Sequence, residues 1–98
     1  MGGLDGEVFV PGRLVLVKRG SCAGKWCVVL GVDRDGRVLV ADGRSRSARR
    51  PKRKNPRHLQ PSGVVIEEVA SLLSQGSELD DGRLSFLIAA VIEGIPQV

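Results

Sequence analysis

The 98-residue chain carries 15 Lys and Arg against 11 Asp and Glu, is 42% hydrophobic, and has two cysteines, one Trp, two Phe and no Tyr. That describes one domain with a modest core. It excludes a disulfide scaffold, for which the cysteines are too few, and a membrane-spanning helix, for which no apolar run is long enough.

Residues 1–7 are glycine-rich and are expected to form a flexible N-terminus. They contain no basic region followed by an apolar segment, so no secretory signal is expected and a cytoplasmic location follows. Val8-Phe9-Val10 reads as a short first strand, ended or held at an edge by Pro11. Residues 14–17 and 26–30 are valine-rich apolar runs of strand length. Between them lies a loop with glycines at 20 and 24 and with Lys18, Arg19 and Lys25 at its base. Gly24 is expected at positive φ or at a close backbone approach. Asp33-Arg34-Asp35-Gly36 is a hairpin turn signal, and residues 37–41 make the next strand. A final short strand is expected near 57–60.

The apolar runs are continuous, not alternating. Successive side chains of a strand face opposite sides, so Val15 and Val17 cannot share a face with Leu14 and Leu16. Both faces therefore need cover. The tail can supply it. Residues 64–75 place apolar side chains at 65, 69, 72 and 73, with Ser62 as a cap and Gly76 as a stop. Residues 79–93 place Leu84, Leu87, Ile88, Val91 and Ile92 at helical spacing, with Ser77 or Asp80 as cap and Gly94 and Pro96 closing.

Charge divides along the same line. Residues 1–63 hold fourteen cations against five acids, a balance of +9, and residues 64–98 hold one against six, a balance of −5; the net charge is +4. Eight of the fifteen cations lie in residues 43–57: Arg44, Arg46, Arg49, Arg50, Lys52, Arg53, Lys54 and Arg57. Pro51 and Pro56 bar a helix or a central strand there, so an extended, solvated arm is expected. Dense like charge repels itself, and a polyanion relieves that repulsion. Composition alone would allow DNA as well as RNA.

The strand–loop–strand resembles a KOW motif, carried by Gly12, Val15, Val17, Gly20, Gly24, Lys25 and Val28. Val38-Leu39-Val40-Ala41-Asp42-Gly43, the basic tract and Arg57-His58-Leu59-Gln60 extend the resemblance to one branch. That branch is the large-subunit ribosomal protein family called fourteen-e, with its short bacterial KOW-domain relatives. The likeness spans roughly residues 10–62. Cys27 stands where many KOW motifs have another glycine, a departure the ribosomal branch tolerates. The resemblance implies an RNA-binding protein of ribosomal or other structured RNA.

The expected fold is mainly β with a helical tail. A small SH3-like (KOW-type) barrel of four to five strands over 8–62, bearing the arm 43–57, precedes an acidic C-terminal helical hairpin over 63–98. The expected RNA-binding residues are Lys18, Arg19, Gly20, Gly24, Lys25, Arg44, Arg46, Arg49, Arg50, Lys52, Arg53, Lys54, Arg57 and His58. Contacts should go mainly to phosphate and sugar, because aromatic platforms are scarce. Trp26 reads as core or loop-base packing rather than a stacking platform. Cys27 reads as core and Cys22 as an incidental loop thiol; with His58 they are too few for a zinc site. No metal, cofactor or catalytic constellation is expected: His58 has no Ser or acid beside it. The competing reading is an SH3-like protein-interaction module. Residues 64–98 are also a candidate site for self-association or for contact with the ribosome.

Overall fold

The computed structural model describes residues 8–94. Five strands and two helices follow one another: β1 (Arg13–Val17), β2 (Trp26–Val32), β3 (Val38–Ala41), β4 (Lys52–Lys54), β5 (Leu59–Val65), α1 (Glu67–Ser74) and α2 (Asp81–Ile92). The strands form one antiparallel sheet in the order β4-β3-β2-β1-β5. A 3₁₀ turn over Pro56–His58 leads into β5.

Register puts the two parities of each apolar run on opposite faces. Val15 pairs with Cys27, Val29 with Val40, and Val17 with Leu59. These side chains are buried together with Val38, Phe9 and Cys22. On the other face Leu14 pairs with Val28 and Val28 with Ala41. Their cover is helical: Ile66, Val69, Leu84 and Ile88 close over them. The tail is therefore the lid that the two-faced strands require. Its helices are also tied to each other, through a bidentate pair from Arg83 to Glu68 at 2.7 and 2.8 Å.

Two irregularities bend the sheet. The β2–β3 register shifts between Val29 and Gly31. The β1–β5 register shifts between Arg13 and Val15, where the Ser62 hydroxyl donates to the Leu14 carbonyl at 2.7 Å and accepts from the Val64 N–H. Bulges of this kind raise local twist and coil a sheet.

Several expectations change. No strand forms at Val8–Val10; Phe9 lies in a bend and fills the core instead. The last strand is Leu59–Val65, longer and later than expected, so the division at 62/63 falls inside it. The first tail helix begins at Glu67, not 64, because β5 runs through Ser62 to Val65; its N-cap position falls on Ile66, whose side chain has no acceptor, so there is no side-chain cap. Asp80 caps α2 by accepting from the Arg83 N–H. Gly76 and Gly94 end their helices at positive φ, while Pro96 and the N-terminal residues 1–7 lie outside the described residues. No described helix is long and apolar enough to cross a membrane.

The largest change concerns the basic tract. It is not a solvated arm: Lys52–Lys54 pairs with β3 as an edge strand. Pro51 and Pro56 flank that strand rather than interrupt it, which satisfies the rule that proline avoids central ladders. Upstream, the tract is pinned at both ends. Asp42 and Gly43 donate their N–H groups to the Arg46 carbonyl at 3.0 Å, and the Ala48 N–H donates to Asp81 Oδ1 at 2.9 Å.

Candidate nucleic-acid interface

The β1–β2 loop is built by its glycines. Gly20 and Gly24 adopt φ of 93° and 87°, a region costly for other residues. The Gly24 N–H donates to the Val17 carbonyl at 2.8 Å, and the Val17 N–H donates to the Lys25 carbonyl at 3.0 Å, so the loop base is closed. Nothing lies within 4 Å of where a Gly24 side chain would begin. Of the two roles expected for Gly24, the backbone conformation holds and the close approach does not.

The loop meets the end of the basic tract. The Lys18 N–H donates to the His58 carbonyl at 2.7 Å. Asn55 caps the 3₁₀ turn by accepting from the Arg57 N–H at 3.0 Å. Together Lys18, Arg19, Asn55, Arg57 and His58 line a cleft of about 470 Å³ that contains no acidic residue. Residues some forty positions apart are thus gathered into one cationic recess. Asn55 was not expected in the site; its place before Pro56 is the available signal, since Asn favours caps and Pro the first helical position.

Lys54 differs from its expected role. It is 5% exposed, and its ammonium donates to the Arg19 carbonyl at 3.0 Å. A side chain on Gly20 would collide with that ammonium. Lys54 therefore props the loop from beneath rather than facing solvent.

Two other cations of the tract are engaged at the surface. Arg53 pairs with Asp33 and Asp35 at 2.8 and 3.1 Å, and Arg49 with Glu78 at 3.1 Å. Such exposed pairs contribute little to stability. Arg44, Arg50 and Arg57 are exposed, Lys52 and Arg46 half-buried. Lys25 donates to the Ser45 hydroxyl at 2.9 Å, and that hydroxyl donates to Asp42 at 2.8 Å, joining the loop to the tract.

Asp42, 9% exposed, organises the turn after β3. Burial alone would push its carboxyl up. The N–H groups of Arg44 and Arg46, the Ser45 hydroxyl and nearby Lys25 outweigh that and hold it below the ordinary carboxylate value. A carboxylate lowered on folding stabilises the protein above its unfolded pKa, and the contribution is lost as pH falls through the folded one. Asp42→Asn should remove part of the acid sensitivity. Thermal melts of both proteins from pH 7 to pH 2 should converge at the acid end; a constant gap across that range would refute the assignment.

Both thiols are buried and unpaired. Cys22 is therefore a core residue and not an incidental loop thiol. Burial pushes the Cys27 thiol up to about 12, with Asp42 and Cys22 adding to the effect, so it is unreactive near neutrality. Trp26 is half-buried and packs against the lid. Among the described residues no three His, Cys, Asp or Glu side chains are grouped to hold a metal. No protein-family model matches the chain, and no curated protein matches it.

Proposed function

We propose that the protein is a non-enzymatic RNA-binding module whose coiled sheet closes as a KOW-type, SH3-like barrel. Within that class, the resemblance to the fourteen-e ribosomal family points to structured RNA as the ligand, ribosomal RNA foremost. The observation that carries the reading is the acid-free cleft in which the loop cations Lys18 and Arg19 meet Arg57 and His58. Field lines from a recess lined by one sign of charge concentrate counter-ions there. Lys25, Arg44, Arg50 and Lys52 extend the basic surface, and Gly20 and Gly24 shape the loop. Phosphate contacts would dominate.

The test is a salt titration of RNA binding. Each phosphate contact releases roughly 0.7 to 0.9 of a counter-ion, and about half of the ten loop and tract cations other than buried Lys54 can touch phosphate at once, so the log–log slope should be on the order of −4. Replacing Lys18, Arg19 and Arg57 with Gln should flatten it by about 2 to 3. A parent slope near zero would sink the reading.

A protein-interaction role has one observation in its favour. Val64, Ile66, Leu87 and Val91, with Glu67 and Glu68, line a largely apolar cleft of about 520 Å³ in the lid, and Phe86 on α2 is 58% exposed. Concentration-dependent light scattering with no RNA affinity would favour it.

A further inference from the structure

The single tryptophan follows Lys25, the last residue of the β1–β2 loop. Lys25 and Trp26, Arg44 from the turn after β3, and Ile88, Ala89 and Ile92 from α2 line a second cleft, of about 350 Å³. Its character differs from the first. One wall is the half-buried indole and another the apolar flank of α2, where Ile92 is 48% exposed. The rim carries the exposed cations Lys25 and Arg44. Two acids also line it. Asp42 is already satisfied by Arg44, Ser45 and Arg46, while Glu93 is exposed at the end of α2.

We infer that this cleft receives one unpaired RNA base, stacked against Trp26, with its phosphates on Lys25 and Arg44. The inference rests on the RNA-binding reading and deepens it. A flat apolar wall beside paired cations matches a nucleotide, whose aromatic face and anionic backbone lie close together. The Lys25 carbonyl closes the loop base by accepting from the Val17 N–H, next to Lys18 of the cationic cleft, so the loop base contributes to both clefts. The module then reads a structured RNA where one base is extruded, which phosphate contacts alone cannot distinguish.

With one Trp and no Tyr in the chain, intrinsic emission reports this site alone. The experiment titrates the full protein with a fluorescently labelled RNA hairpin bearing a single bulged base, and with the same hairpin made abasic at the bulge. Anisotropy measures binding and Trp26 emission measures stacking. The intact bulge should quench Trp26 and bind roughly tenfold more tightly than the abasic one. Trp26→Phe, which keeps a ring, should retain most of that preference, and Trp26→Leu should lose it while still binding both RNAs. Equal binding of the two hairpins with unchanged emission overturns the inference and leaves the phosphate reading standing. No binding of either RNA defeats both. Quenching by an apolar peptide but not by RNA would make the cleft a protein-docking site and overturn the inference.

Discussion

A chain ending at Val65 should fail to fold cooperatively. Removing residues 66–98 strips Ile66, Val69, Leu84 and Ile88 from the sheet and uncovers Leu14, Val28 and Ala41. Burial of each large apolar side chain stabilises by about 1.5–3 kcal/mol. Four such losses come to roughly 6–12 kcal/mol, against a total stability on the order of 5–15 kcal/mol for a domain. The lid is therefore worth as much as the whole. Circular dichroism should show no sigmoidal melt, and proton NMR should lose its dispersion. A truncated protein melting near the parent temperature would mean that the strands need no second layer.

Gly43→Ala should be the most damaging single-methyl change. Gly43 sits at φ 77°, and a Cβ there would overlap the Asp81 carbonyl and come within 3.0 Å of the Ser85 N–H. Both neighbours are backbone of the first turns of α2, so no side chain can swing aside. The left-handed conformation costs an L-residue about 1–2 kcal/mol, and displacing the helix start adds to it, for a sum of about 3–4 kcal/mol by comparison with other strain and overpacking changes. For a chain of this size that is a fall in Tm of about 12–30 °C. Gly24→Ala is the control. Its φ is similar, at 87°, but no atom lies within 4 Å, so the loss should be about 1 kcal/mol. Equal melting temperatures for the two variants would show that the contact with α2 does not matter.

The difference between those glycines marks where the sequence stops being readable. Positive φ at Gly24 follows from its place between two strands. That Gly43 lies under a helix thirty-eight positions away depends on tertiary packing, which no local pattern encodes. The same holds for the lid. Continuous apolar runs announce two covered faces, and helical spacing announces the cover, so the sheet-and-helix architecture was legible. The start of α1 falls later than Ser62, a good cap by type, because that residue belongs to β5, which continues to Val65 before the helix can begin. Among the cations, charge density marked out the basic tract but could not say which of them face solvent. Lys52 and Lys54 share a strand face; the second is buried under Arg19 because the loop folds back over that end of β4.

The makeup of the sheet's two outer strands bears on how concentrated the protein can become without polymerising. An edge with free N–H and C=O groups invites a second copy to extend the ladder. Here one edge is β4, only three residues long and cationic at every position. The other is β5, which carries Pro61, a residue without an N–H, and then loses register with β1. Two copies meeting through β4 would align Lys-Arg-Lys against itself, and through β5 would find a donor missing. The cationic strand thus guards the chain against fibre growth, whatever its ligand. If the proposed RNA lies along β4, it would screen that guard, and sheet extension would become easiest in the loaded form.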